Sequence, residues 1–404
     1  MSDLCPGPRA VWRRKIDVLR QARWLNHESL RWYGISFALI SSLLLANSVI
    51  FDTGSELGGD FINFFAGVKA AAGGSASSVY NRAWFHAFVA TTLHNGTFRT
   101  YDYPPPMLVL TFPLALFPFG QALVAWLLLG GALCFVLLRR LVGWEAAALT
   151  LIGAPAACLN LFFCQNGYFT AGALAGGLII LERRPVLAGV CFGCLICKPQ
   201  LAILLPIALA ADRRWGAFVA TGITATAFAV VASTFFGVET WSAFFKHVLE
   251  FDTGRGPARL TILAAARSFG AAPALADALQ LASGTLALSA VAIIWRSPAP
   301  AEIKYAALAV ASFLATPFAL PYDEISLIFA AAWLGREGMR IGFLPWERMI
   351  VVALLTLPLP MVAIGLVVGI PVTPVALFLI LLALLRRALA NPVPISPVPA
   401  QYLP

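Results

Sequence analysis

Long apolar stretches, separated by short clusters of charged residues, recur along this chain from about residue 33 to about residue 390. Only 12% of the 404 residues are charged, whereas 60% are hydrophobic. Soluble proteins carry about 25% charged residues, so this chain has too little charge to cover the surface of a water-soluble fold of its size. The sequence therefore predicts an all-α polytopic membrane protein and excludes a soluble domain.

The charged clusters predict the topology. The first apolar run, at 33–51, is too long and begins too late for a cleaved secretory signal, and the basic segment before it favours a cytoplasmic N-terminus. Placing the later arginine pairs on the cytoplasmic side gives about twelve spans and leaves most of the 28 Lys and Arg residues on that side. This rule accounts for the net charge of +9, and we expect no nucleic-acid partner.

The chain then divides into three regions. Residues 1–32 are a basic cytoplasmic segment, residues 33–390 form the transmembrane domain, and the Pro-rich residues 391–404 form a cytoplasmic tail. Two long loops face outward: 52–119, which contains amphipathic helices at the interface, and 237–277. We expect a multi-pass protein of a bacterial inner membrane with both termini in the cytoplasm.

Two short apolar pieces, 186–197 and 200–211, flank the sequence Lys198-Pro199-Gln200. Such a piece covers only about 20 Å at about 1.5 Å per residue, less than the hydrocarbon core of about 30 Å. Because both outer ends carry arginine pairs, we predict a helical hairpin whose tip is buried within the protein. A lysine at such a tip is a candidate functional residue. The alternative is that Lys198 snorkels to the outer interface.

Four acidic residues adjoin spans on the same predicted side as Lys198: Asp60, Asp102, Asp323 and Glu324. One carboxylate and one ammonium in an enclosed site suit acid–base chemistry on an anionic substrate. Any one of the four can instead be a solvated loop charge. We predict no cofactor, although three of these aspartates could in principle hold a divalent cation. The four histidines lack ligand spacing, and we expect each of them at a surface or at the membrane interface.

Several short motifs occur in a recognisable order over roughly residues 55 to 335. They are Gly58-Gly59-Asp60-Phe61, Tyr103-Pro104-Pro105, Pro113-Leu114-Ala115-Leu116-Phe117-Pro118, Gln165-Asn166-Gly167, Lys198-Pro199-Gln200 and Pro321-Tyr322-Asp323. Their order and spacing resemble those of the glycosyltransferase family 87 proteins, once catalogued as domain of unknown function 2029. The chain departs from that pattern at Cys164, where the family would have glycine, and in the loop 237–277.

The resemblance implies a GT-C type glycosyltransferase with its active site on the extracytoplasmic face. Such an enzyme takes a sugar, here a mannose-type hexose, from a polyprenyl-phosphate donor and transfers it with inversion to a lipid or glycan acceptor. The resemblance also implies that Asp60 is the catalytic base and that Lys198 pairs with the donor phosphate. The remaining polar motif residues are candidates for binding sugar hydroxyls: Tyr103, Gln165, Asn166 and Asp323.

A transporter or flippase is the alternative, because many spans, broken helices and a cation near the membrane midplane are also typical of secondary transporters. The halves of the chain show no visible internal repeat, and the long loop after the first span is unusual for a transporter. Both features favour the enzyme. A non-catalytic scaffold with the same fold is a third alternative.

Overall fold

The structure is a computed structural model that describes residues 8–51, 58–93, 96–250 and 259–390. Within these ranges the regular structure is entirely helical, with short 3-10 turns between α-helices. The predicted Pro-rich tail lies outside the described residues, as do residues 52–57 and 251–258 of the two predicted outward loops.

The first nine helices lead from the N-terminal segment to the first short apolar piece. They are α1 (Pro8–Gln21), α2 (His27–Phe51), α3 (Phe61–Ala72), α4 (Arg82–Leu93), α5 (Pro106–Thr111), α6 (Phe119–Val142), α7 (Trp144–Gly153), α8 (Pro155–Phe162) and α9 (Gly167–Ile180). The remaining helices are α10 (Pro185–Gly193), α11 (Leu205–Ala211), α12 (Trp215–Phe236), α13 (Glu239–Glu250), α14 (Ile262–Ser268), α15 (Pro273–Arg296), α16 (Ala301–Ala315), α17 (Ile325–Ile341), α18 (Glu347–Thr356), α19 (Pro358–Val368) and α20 (Thr373–Leu389).

Three of the described helices, α6, α12 and α15, are long and apolar enough to cross a membrane, with 24, 22 and 24 residues. Two further spans are possible if the bent pairs α7–α8 and α18–α19 each count as one, which gives three to five in the described residues. The all-helical prediction is therefore confirmed, whereas the count of twelve stays a prediction. Several other apolar helices are shorter than the about 20 residues that a straight crossing requires.

Both bends coincide with prolines. The helix pair α7–α8 turns by 59° before Pro155, and the pair α18–α19 turns by 72° before Pro358. Proline lacks a backbone N–H and its ring clashes with the preceding turn, so an apolar run continues past it in a new direction. The apolar runs at about 145–163 and 349–369, each of which the sequence predicts as a single span, are therefore broken by their own prolines.

The core is centred on α16, which is buried along almost its whole length from Ile303 to Leu314. It packs between α15, α17 and α20. Helix α12 differs most from α16, because only 6% of its most apolar 18-residue stretch is buried. An apolar helix that exposes nearly all of its surface needs apolar surroundings, which a lipid bilayer provides.

The two short apolar pieces form the predicted broken pair. Helix α10 ends at Gly193, two 3-10 turns follow, and α11 begins at Leu205. Lys198 lies between the two turns and is only 3% exposed. The tip is thus buried in protein, and the snorkelling alternative does not describe this lysine.

Glycines allow α10 to pack closely against α12. A Cβ on Gly189 would lie 2.5 Å from the carbonyl oxygen of Ala217 and 2.9 Å from the backbone nitrogen of Thr221. Backbone atoms cannot move aside as a flexible side chain can. A Cβ on Gly222, which lies on α12 itself, would meet no atom within 4 Å.

We predict that Gly189→Ala lowers the free energy of unfolding by about 1–3 kcal/mol, because the added methyl overpacks a backbone contact. Gly222→Ala is the matched control, and it should be neutral or slightly stabilising because alanine favours helix over glycine. Thermal unfolding midpoints of the purified variants in detergent measure both. Equal midpoints for the two variants would show that α10 and α12 are not in close contact.

Candidate functional site

Asp60 is positioned by two glycines that precede α3. Gly58 and Gly59 have positive φ angles of 105° and 46°, which favour glycine. A Cβ on Gly59 would lie 2.7 Å from the carbonyl oxygen of Phe163, and the backbone N–H of Asp60 donates to that same oxygen at 2.8 Å. The glycines therefore allow the start of α3 to lie directly against the turn between α8 and α9.

That turn presents Gln165 and Asn166 to the site. Its backbone turns at Cys164, whose φ of 50° lies in the left-handed region. The indole N–H of Trp126 donates to the carbonyl oxygen of Cys164 at 3.1 Å and helps to hold the turn. Left-handed backbone favours glycine, which is a physical reason for glycine at this position in the family pattern. Burial raises the pKa of Cys164 to about 11, so its thiol is not an activated nucleophile.

Both carboxylate oxygens of Asp60 accept hydrogen bonds. The side-chain amide of Gln165 donates to Oδ2 at 2.9 Å, and the guanidinium of Arg99 donates to Oδ1 at 3.3 Å. The side chains of Asp60 and Arg99 remain 27% and 12% exposed. Asp60 is thus held in one orientation and is still accessible.

A hydrogen-bonded chain continues from Gln165 into the protein. The Oε1 atom of Gln165 accepts from the Tyr103 hydroxyl at 3.1 Å and from the backbone N–H of Asn166 at 3.0 Å. Burial and the charge of Asp60 raise the pKa of Tyr103 well above its usual value, so its hydroxyl is a donor. The side-chain oxygen of Asn166 accepts from the ammonium of Lys198 at 3.1 Å.

The series of hydrogen bonds that begins at Asp60 ends at a buried ion pair. The Lys198 ammonium donates to Oδ1 of Asp323 at 2.5 Å, and these side chains are 3% and 0% exposed. The other oxygen of Asp323 accepts from the backbone N–H of Leu320 at 3.0 Å. The turn Pro321–Glu324 approaches α9 closely, because a Cβ on Gly167 would collide with the carbonyl oxygen of Tyr322.

The structure therefore brings together all six residues that the sequence singles out: Asp60, Tyr103, Gln165, Asn166, Lys198 and Asp323. Asp60 and Lys198 lie on one hydrogen-bonded path, separated by the side chains of Gln165 and Asn166. Their catalytic and binding roles stay predictions. One buried hydrogen-bond donor on this path, Nδ2 of Asn166, has no partner among the described residues.

The other two acidic residues lie elsewhere. Asp102 contacts Nε2 of His247 at 2.7 Å, and His247 is only 4% exposed beside the ring of Tyr80. The surface position that the sequence allowed for His247 is therefore wrong: its imidazole is buried and contacts the partly exposed carboxylate of Asp102. Glu324 is fully buried, and neither of its carboxylate oxygens has a partner in the part of the chain described. Burial raises its pKa, which favours the neutral acid.

No group of three His, Cys, Asp or Glu side chains that could hold a metal ion occurs among the described residues. The three aspartates considered for a cation each contact a different basic side chain: Arg99, His247 and Lys198.

The sequence alone does not single out Arg99. It appears there only as one of a few basic residues in a loop, and nothing local predicts its partner. Its distance from Tyr103, only four positions, was the available signal, because a cation so close to a motif residue is a candidate for the same site.

Comparison with protein-family models gives a match to glycosyltransferase family 87 over residues 101–319. This is more than half of the 404 residues. The chain belongs to glycosyltransferase family 87. The comparison with curated proteins gives no match, and neither does the comparison with solved structures.

The family 87 match includes four of the six site residues, namely Tyr103, Gln165, Asn166 and Lys198. Asp60 and Asp323 lie outside the matched range, and their hydrogen bonds to Gln165 and Lys198 connect them to it. Family membership and the apolar helices together support a membrane glycosyltransferase.

We predict that Cys164→Gly preserves stability, whereas Cys164→Val lowers the free energy of unfolding by about 1–2 kcal/mol or more. Glycine adopts the left-handed backbone at position 164 without strain, and a β-branched side chain does so least readily. Thermal unfolding midpoints of the two variants measure the difference. A valine variant as stable as the glycine variant would show that the turn has another backbone conformation.

We predict that Lys198→Met lowers the free energy of unfolding by about 3–5 kcal/mol, because it leaves the Asp323 carboxylate buried without its cation. The double variant Lys198→Met/Asp323→Asn should recover a large part of this loss, because it removes both charges. Denaturation in detergent of the two single variants and the double variant gives the coupling. Additive losses would contradict the ion pair.

Proposed function

We propose that this chain transfers a mannose-type hexose from a polyprenyl-phosphate donor to a hydroxyl of a lipid or glycan acceptor, with Asp60 as general base. We place the reaction on the extracytoplasmic side of a bacterial inner membrane, in a GT-C type fold. The observation that carries the proposal is the state of Asp60, a partly exposed carboxylate oriented by Gln165 within a family 87 chain.

Transfer by direct displacement accounts for inversion at the anomeric carbon. The acceptor oxygen forms a bond to that carbon while the bond from the carbon to the phosphate oxygen breaks. The bonding electron pair leaves with the polyprenyl phosphate, and the acceptor proton passes to Asp60. Gln165 occupies one direction on Oδ2, and a carboxylate oxygen accepts more than one hydrogen bond, so Asp60 can also reach the acceptor hydroxyl.

The departing phosphate requires positive charge, because negative charge develops on it as the bond breaks. We propose Lys198 as a donor-phosphate residue. Two of its three N–H groups are used by Asn166 and Asp323. The ammonium also lies 5.9 Å and 5.3 Å from the ring centroids of Tyr103 and Tyr322. A phosphate oxygen would take the third N–H group.

Among the proposed sugar-binding residues, Asn166 has the strongest support. Its buried Nδ2 has no partner among the described residues and can donate to a sugar hydroxyl. Gln165 uses both ends of its amide for Asp60 and Tyr103, and Asp323 uses both oxygens for Lys198 and Leu320. Tyr103 is half-buried beside them. We therefore propose that Gln165 and Asp323 act on the sugar mainly by holding their neighbours in place.

A lipid or solute transporter is the second candidate function. The observation in its favour is a buried ion pair whose lysine lies in the break between two short apolar helices, α10 and α11, because transporters often bind ions at such breaks. The two functions differ in whether a covalent product forms.

We predict that Asp60→Asn abolishes sugar transfer without loss of folded protein, because asparagine keeps the shape of the side chain and removes the base. Membranes that contain either protein are incubated with a panel of radiolabelled polyprenyl-phosphate sugars, and the labelled product is identified. Asp277→Asn is the matched control, because the Asp277 side chain is 59% exposed in the predicted second outward loop. Its activity should equal that of the wild type.

Two results would contradict the proposal. Undiminished transfer by the Asp60→Asn protein would remove Asp60 from the mechanism. Movement of intact lipid-linked sugar across vesicles that contain the wild-type protein, with no product formed from any donor, would favour the transporter.

A further inference from the structure

We infer that Arg99 also contacts the donor phosphate directly, ahead of Lys198, and that it exchanges its partner from Asp60 to the phosphate when the donor binds. This inference rests on the proposed function, because it assumes a lipid-linked phosphate as the ligand. It adds a residue to the site that the sequence motifs do not contain.

The two ion pairs of the site differ in exposure. Arg99 and Asp60 are 12% and 27% exposed, whereas Lys198 and Asp323 are 3% and 0% exposed. An incoming anion therefore reaches the Arg99 guanidinium before it reaches the Lys198 ammonium. The buried pair must also stay closed for stability, since separating it would leave a charge in a low-dielectric interior.

The two pairs also differ in geometry. Lys198 and Asp323 are 2.5 Å apart, and Asn166 supports the lysine. Arg99 reaches Asp60 through one nitrogen at 3.3 Å, a long contact that does not use the two-pronged geometry of which arginine is capable. A phosphate that accepts two parallel hydrogen bonds from the guanidinium therefore competes well with this single, long contact.

The charge balance favours the same exchange. Asp60 and Asp323 carry two negative charges, and Arg99 and Lys198 carry two positive charges. A donor phosphate adds one further negative charge. Arg99 is suited to bind it, because a planar guanidinium donates two parallel hydrogen bonds to a phosphate and stays charged at every physiological pH.

The other basic side chains described in the first predicted outward loop are not suited to bind the donor phosphate. The Lys69 ammonium donates to the carbonyl oxygen of Ala115 at 2.9 Å and lies 5.4 Å from the ring of Phe65, so it stabilises the packing of the loop. Arg82 is exposed at the first position of α4. It provides a matched control for the loss of one positive charge.

The exchange couples donor binding to the state of the base. Before the donor binds, the Arg99 guanidinium occupies Oδ1 of Asp60. Once the guanidinium contacts the phosphate, that oxygen is exposed for the acceptor hydroxyl. The order of binding is then donor first and acceptor second, and Asp60 is fully available only when a sugar is in place.

The test measures the binding of a polyprenyl phosphate that lacks the sugar to the full-length protein in lipid nanodiscs. Four proteins form a cycle: wild type, Arg99→Gln, Asp60→Asn and the double variant. We expect Arg99→Gln to bind at least tenfold more weakly and Asp60→Asn to bind several-fold more tightly, because Asp60 no longer competes for the guanidinium. In the Arg99→Gln background, Asp60→Asn should have little effect. Arg82→Gln should bind like the wild type.

Two outcomes overturn the inference. One is an Arg99→Gln protein that binds as tightly as the wild type. The other is an Asp60→Asn substitution that changes affinity equally in both Arg99 backgrounds, since simple charge repulsion would give that result. If Arg99→Gln does not fold, Arg99→Lys keeps the charge without the planar geometry and should bind with intermediate affinity. Affinity equal to that of the wild type would then overturn the inference.

The binding test is independent of catalysis and therefore separates this inference from the proposed function. A wild-type protein that shows the expected binding cycle but forms no glycosylated product would support Arg99 as a phosphate ligand and contradict the transferase. A wild-type protein that transfers sugar while Arg99→Gln keeps the wild-type affinity would do the reverse.

Discussion

The buried ion pair between Lys198 and Asp323 is the interaction on which the rest of the site depends. It joins two turns that are 125 residues apart in sequence, one between α10 and α11 and the other before α17. Two charges removed from water are tolerated only when their remaining hydrogen bonds are also satisfied. Asn166 and the backbone N–H of Leu320 supply these bonds, so the pair fixes the position of both of its neighbours.

From this pair the burial of the site residues decreases toward Asp60. Asn166 and Gln165 are almost fully buried and are held by the turn that Trp126 supports. Gln165 transmits this position to Asp60, whose carboxylate is partly open. A general base must be held within hydrogen-bonding reach of its substrate and yet retain an accessible lone pair. The arrangement meets both conditions, because the buried pair of Lys198 and Asp323 fixes one end of the hydrogen-bonded series and the partly exposed Asp60 lies at the other.

The sequence predicts those features that depend on local pattern. The apolar runs at 120–138 and about 216–236 predict α6 and α12, although α6 continues to Val142, and the broken pair around Lys198 follows from the length of the pieces and their flanking arginines. Pairing over long distances has no such signal. Nothing near Arg99 indicates that it contacts Asp60, and nothing near His247 indicates that it is buried against a carboxylate. The bends at Pro155 and Pro358 also divide apolar runs that hydropathy alone counts as straight spans.

The short sequence motifs and the turns beside them contain two kinds of residue, and the structure separates them. Gly59, Cys164 and Gly167 occupy positions where the backbone is left-handed or approaches another backbone closely, so they determine where the turns lie. The polar motif residues then fill the space between the turns. Because Gln165 and Asp323 already use their hydrogen-bonding groups within the protein, they have little capacity left to distinguish one sugar from another. Under the proposed function, discrimination between donors then falls to groups that keep hydrogen-bonding capacity, namely Nδ2 of Asn166 and the partly exposed carboxylate of Asp60.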